Sequence, residues 1–156
     1  NGFATGAGLD MALMCDIRFA AESARMGETY IKAGLVPGDG GAWYLPRLVG
    51  PAKALELFWT GDLITAAEAE RVGMVNRVIP DADLMEQTYV FARRLAAQPP
   101  ITVAMTKRAV MQGMKTDLRT ALDTISSAFG VVTTTRDQKE AVAALNAKRP
   151  PVFRGE

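Results

Sequence analysis

"GAGLDMALMCD", residues 6–16, sets one carboxylate near the start of an otherwise apolar run that follows three small residues. Gly6, Ala7 and Gly8 permit a sharp turn, and Leu9, Ala12 and Leu13 supply an apolar face, so the stretch predicts a helix over Gly6 to Cys15 entered from a glycine-rich turn. The first turn of such a helix presents free N–H groups and the positive end of the dipole, which suit a phosphate or a developing oxyanion. The same small residues serve equally well to pack a helix tightly on a sheet. "TGAG" has no third glycine at the spacing of a dinucleotide fingerprint, and it is not a P-loop. Asp10 is favoured in a first helical turn by ~0.3–1 kcal/mol through the dipole alone. With Leu13 and Met14 at i+3 and i+4, however, it shares a face with apolar side chains, where an acid is costly unless paired or used. Both readings of Asp10 stay open on spacing.

Working outward, the 156 residues suffice for a real core, and 49% hydrophobic with 22% charged residues is an ordinary globular balance. A net charge of +1 gives no electrostatic case for nucleic acid or a membrane surface as partner, and no window approaches the ~18 apolar residues of a membrane span. The single cysteine, Cys15, cannot pair within the chain; it reads as a small buried hydrophobe, and a cytoplasmic location is the expectation. Histidine is absent, which excludes a Ser-His-Asp triad, a Cys-His pair and imidazole-ligated metal within this chain. Asn1-Gly2 resembles mid-domain turn chemistry, so a preceding portion is expected.

Along the chain, "DIRFAAE" and "ARMGETYI" have strand character and "GLVPGDGG", residues 34–41, reads as a loop. "PAKALELFWTG" predicts a helix opened by Pro51 and closed by Gly61. Thr65 and Glu68 form a capping pattern before a short helix that Gly73 ends, and "MVNRVI" is a strand stopped by Pro80. From residue 82 the pattern is helical, with Leu118, Leu122, Ile125, Phe129 and Val132 forming a stripe too apolar to face water, and Thr135 with Gln138 capping the last helix. That stripe is expected to pack on the core or on another subunit. Asp39, between Gly38 and Gly40, fits ordinary Asp-Gly turn chemistry or an acid held in a loop. Lys148, Arg149 and Arg154 read as a solvated tail.

Three ordered blocks carry a resemblance. "NGFATGAGLDMALMCDIRFAAESARMG", "GLVPGDGGAWYLPRLVG" and "ALELFWTGDLITAAEAERVGMVNRVIP" resemble the enoyl-CoA hydratase/isomerase, or crotonase, superfamily over residues 1 to about 80, with a looser continuation through "AMTKRAV". The resemblance implies an α/β fold: the last turns of a crotonase-like ββα spiral over residues 1–80, then a C-terminal helical trimerisation arm over 81–156, with about the first hundred residues of a typical member lying outside this chain. It implies an acyl-CoA thioester as substrate, coenzyme A entering only as part of that substrate, no metal, and a homotrimer or dimer of trimers.

The resemblance also places the site. Gly6, Ala7 and Gly8 match the family's oxyanion triplet, so one donor maps to the Ala7 N–H, and Gly6, Ala7, Gly8 and Gly38 lie where the thioester is held. Asp10 falls where hydratases carry their first catalytic carboxylate, usually Glu. The second acid position is occupied by Tyr30. On a strand, Glu28 would share a face with Tyr30 and could substitute, as could Asp39. Addition of water to a double bond ordinarily uses two carboxylates, so hydration, double-bond isomerisation and thioester hydrolysis all stay open, as does a non-catalytic member that binds coenzyme A or serves assembly.

Overall fold

A three-residue strand, β1 (Phe3–Thr5), runs straight into the glycine turn and then into helix α1 (Ala7–Leu13) in the computed structural model, which describes all 156 residues. Gly6 makes this possible. Its φ of 51° and ψ of −127° belong to glycine alone, and its N–H donates to the Gly27 carbonyl at 3.1 Å. The helix is shorter than the expected Gly6 to Cys15. It stops at Leu13, and Cys15, expected to be buried, is exposed in the following turn. Its thiol has moved off the apolar face that Leu9 and Leu13 bury.

The chain divides into two units, Asn1–Tyr89 and Val90–Glu156. In the first, β2 (Phe19–Ala21), β3 (Arg25–Gly27), β4 (Ile64–Thr65) and β5 (Arg77–Ile79) complete two small sheets. β3 lies between β1, parallel to it, and β4, antiparallel; β2 pairs with β5 in parallel. Helix α2 (Gly41–Val49) packs on α1 and on α3 (Pro51–Thr60), and α4 (Ala66–Arg71) packs on β3, β4 and β5. Leu9, Leu13, Leu45, Leu57 and Met74 fill the core at 2% exposure or less. The α3 and α4 boundaries match the sequence signals: Pro51 opens α3, Gly61 closes it, and the Thr65 hydroxyl accepts the Glu68 N–H at 3.1 Å.

Two expectations for this unit are corrected. The strand read through "ARMGETYI" ends at Gly27. Glu28 leaves the extended region at φ −89°, ψ 78°, and Thr29–Ala33 coil into a 3₁₀ helix closed by Gly34. Glu28 and Tyr30 therefore do not share a strand face. Helix α2 goes beyond the sequence signals, which read residues 34–41 as a loop and mark no element between that loop and Pro51. The helix forms around Leu45, which it buries completely.

Helix α5 (Leu84–Ala96) runs across the division between the units. The second unit holds α6 (Pro100–Gly113), α7 (Leu118–Thr133) and α8 (Arg136–Asn146). Asp117 caps α7 by accepting the Arg119 and Thr120 N–H groups, and Thr135 caps α8 by accepting that of Gln138. The apolar stripe of α7 does not pack on a core within this chain: Leu118 is 74% exposed and Phe129 69%. With Met105, Ala109 and Gly113 of α6 it lines an open apolar groove of about 700 Å³. Lys148, Arg149 and Arg154 are exposed, as their charges suggested, but the segment that carries them is tied down. Arg149 makes a two-pronged ion pair with Glu140, at 2.6 and 2.8 Å, and holds that carboxyl down to about 2. Buried Asp137 accepts the Arg154 and Gly155 N–H groups, both at 2.8 Å.

Candidate active site

Asp10, Glu28, Tyr30 and Asp39 come from four separate segments, and the fold gathers them around the start of α1. Asp10 occupies the first turn of that helix and is completely buried. Its first neighbour is Tyr30, whose ring lies against Gly6: a β-carbon there would meet ring carbons at 3.7 and 3.8 Å. The Tyr30 hydroxyl sits 3.0 Å from Asp10 Oδ2 and 2.7 Å from Asp39 Oδ2. A phenol has one proton, so it donates to one carboxylate at a time, and the other contact is satisfied when that carboxyl carries a proton itself. Burial, then the hydrogen bonds to Asp39 and Asp10 and their charges, push the phenol above its ordinary value. It therefore stays a hydroxyl at neutral pH.

The second neighbour of Asp10 is Glu28, 1% exposed, on its other side. Asp10 Oδ1 and both Glu28 carboxyl oxygens are buried without a hydrogen-bond donor in the rest of the chain. Burial first, then the charge of Asp10 and a hydrogen bond with it, push Glu28 up to about 8. The pair is backed by Gly41, the first residue of α2. A β-carbon there would stand 2.1 Å from Asp10 Oδ1 and 2.9 Å from Glu28 Oε1, so only a glycine lets α2 close over the two carboxyls. The sequence carried no sign of Gly41, since its role depends on α2 folding against α1.

The remaining residues sort by exposure. Ala7 and Gly8 are exposed at the mouth of the turn, whereas Gly6 is buried beneath the Tyr30 ring. As the first residue of α1, Ala7 has an N–H with no acceptor inside the helix, and its φ is negative, as an alanine there requires. Gly38 and Asp39 are exposed on the loop between the 3₁₀ helix and α2. Asp10 thus has two polar partners, Tyr30 and Glu28, on a helix whose Leu9 and Leu13 are buried with it. Asp10 is also shielded: the half-buried Tyr30 hydroxyl stands outside it.

A strand, a glycine-only turn and a helix whose first turn buries an acid define an α/β scaffold that solved enzymes share. The enoyl-CoA hydratase structure from Bacillus anthracis superposes on the whole chain with a TM-score of 0.98 at 40% identity, over 60% of its own length. That of Mycobacterium tuberculosis does so with a TM-score of 0.96 at 30% identity, over 62% of its length. The family model described as enoyl-CoA hydratase/isomerase matches residues 1–156, and the chain belongs to this family, the crotonase superfamily. Among curated relatives, crotonyl-CoA hydratase of Syntrophomonas wolfei is 40% identical over 153 residues, which are 98% of this chain and 59% of that protein. Short-chain-enoyl-CoA hydratase of Clostridium acetobutylicum is 42% identical over 149 residues, 96% of this chain and 57% of that protein. The chain thus spans under two thirds of these relatives' length.

Proposed function

We propose that the protein carrying this chain is an acyl-CoA-processing enzyme of the enoyl-CoA hydratase/isomerase type, working by proton transfer beside a thioester. The observation that carries the reading is the Tyr30 hydroxyl, held between Asp10 Oδ2 and Asp39 Oδ2 at 3.0 and 2.7 Å near the mouth of the Gly6-Ala7-Gly8 turn. In this reading the Ala7 N–H is one donor to the thioester oxygen as it becomes an enolate oxyanion, with coenzyme A present only as part of the substrate. Tyr30 is the group that meets the carbon. When the carbon gives its proton to Tyr30 Oη, the O–H proton passes to Asp10 Oδ2 or Asp39 Oδ2; in the reverse sense the carboxyl returns it. Neither a phenolate nor an oxonium has to form, which suits a phenol held above its ordinary pKa.

One relay with a buried Asp10 favours moving a proton between carbons, as in a double-bond isomerase, over the two facing carboxylates of a hydratase. The deciding experiment offers full-length protein a 2-enoyl-CoA and a 3-enoyl-CoA in turn and follows the enoyl-thioester absorbance. Conversion of the 3-enoyl thioester into the 2-enoyl thioester supports isomerisation. Loss of the 2-enoyl absorbance supports hydration, and no turnover of either leaves a non-catalytic member. The same reading treats residues 1–80 as the last turns of the ββα spiral and 81–156 as an arm of a homotrimer or dimer of trimers. The exposed α7 stripe supports it, and sedimentation of the full-length protein checks it.

A further inference from the structure

Asp10 and Glu28 raise a problem that the proton-transfer reading leaves unsolved. Three of their four carboxyl oxygens are buried with no donor supplied by the rest of the chain. Two carboxylates in that position would repel each other, and each buried acceptor left unmade costs ~1–3 kcal/mol or more. Gly41 limits how far apart they are, because Asp10 Oδ1 and Glu28 Oε1 both lie within 3 Å of the point where its β-carbon would stand, which puts them no more than about 5 Å from each other. One proton resolves the conflict, since a protonated carboxyl is a donor.

We propose that Glu28 holds that proton and donates it to Asp10 Oδ1, so that the pair carries a single negative charge and Glu28 positions Asp10 with Oδ2 turned toward Tyr30. Glu28 is then a positioning residue rather than a second acid facing the substrate: it replaces the missing carboxylate from behind. The proposal rests on the reading of Asp10 as the proton acceptor behind Tyr30. The groups that face the pair agree with the assignment. From α1 comes Asp10 itself, from the 3₁₀ helix the Tyr30 hydroxyl on Oδ2, and from the loop Asp39 beyond it; α2 contributes Gly41, which has no side chain. Asp10 is the only charge that acts on Glu28, no cation opposes it, and burial together with that charge keeps Glu28 protonated up to about pH 8.

Infrared titration of full-length protein tests this, alongside Glu28→Gln and Glu28→Met. The wild type should show a protonated carboxyl C=O band at neutral pH that titrates out near pH 8 and is absent from Glu28→Gln. Its pH–rate profile should fall on the alkaline side with the same midpoint. Glu28→Gln keeps a neutral donor toward Oδ1, so its profile should lose that limb. Glu28→Met, similar in size but without a donor, should turn over about tenfold or more slower than Glu28→Gln, the scale of one hydrogen bond to a charged group. A wild-type spectrum with no protonated carboxyl at neutral pH, or a band that survives in Glu28→Gln, overturns the proposal. If no acyl-CoA thioester is turned over but the Glu28 band is present, the shared proton stands and the assigned reaction falls.

Discussion

A β-carbon on Gly41 would stand 2.1 Å from Asp10 Oδ1, so the first residue of α2 sets how deeply the acid of α1 can sit. In a helix, glycine to alanine ordinarily stabilises by ~0.5–1 kcal/mol. Here the sign should reverse. Gly41→Ala should destabilise by about 1–3 kcal/mol, the scale of overpacking, and displace Asp10 with a loss of turnover. Gly8→Ala is the contrast, since nothing lies within 4 Å of its missing β-carbon. It should leave stability equal or slightly higher and yet weaken acyl-CoA turnover by crowding the mouth of the turn. Urea denaturation and steady-state rates on both variants check the pair.

Asp10→Asn keeps the size of the side chain and removes its charge and its capacity to take a proton. Turnover should fall about 10²-fold or more, the usual scale for a general acid–base group. Tyr30→Phe breaks the relay at its outer end and should cost a comparable factor in kcat, while Asp39→Asn, which leaves Asp10 as acceptor, should cost less. A Tyr30→Phe variant with wild-type kcat removes the phenol from the reaction.

Stability should fall as pH rises through the range in which only the folded chain holds the Glu28 proton. Its carboxyl lies near 4.5 when unfolded and at about 8 when folded. Between those values the native state binds more protons than the unfolded one, so the free energy of unfolding declines with pH and levels off above about 8. Thermal melts from pH 5 to 9 should show Tm dropping over this window, by about 2–4 °C for each kcal/mol lost. Glu28→Gln should abolish that contribution and melt higher than the wild type above pH 8.

In the second unit, Asp137→Ala should release the C-terminal segment. The buried carboxylate accepts two backbone N–H groups, from Arg154 and Gly155. Losing them should cost about 1–3 kcal/mol locally, read as faster amide hydrogen exchange at those two positions with little change around Leu45 and Leu57.

The parts legible in the sequence are those written in local chemistry. The cap at Thr65, the Pro51–Gly61 helix and the glycine turn before Asp10 each follow from neighbours within four residues. The strand reading of "ARMGETYI" failed because five residues of 3₁₀ helix carry no periodicity of their own, and the turn at Glu28 is fixed by contacts. The sequence marks Asp10, Glu28, Tyr30 and Asp39 as candidates but does not carry their arrangement. Which carboxyl sits behind, and which hydroxyl stands in front, depends on α2 closing over them through Gly41.

The single proton on Tyr30 has a consequence for ligand capture. A ligand oxygen that accepts a hydrogen bond from this hydroxyl takes the proton away from whichever of Asp10 and Asp39 was receiving it. Such a ligand gains one hydrogen bond and breaks one, so the phenol adds little to its affinity. Titration calorimetry should give Tyr30→Phe a Kd within a few-fold of the wild type for a ligand held this way; a loss of about tenfold or more means that the hydroxyl binds the ligand without giving up its carboxylate.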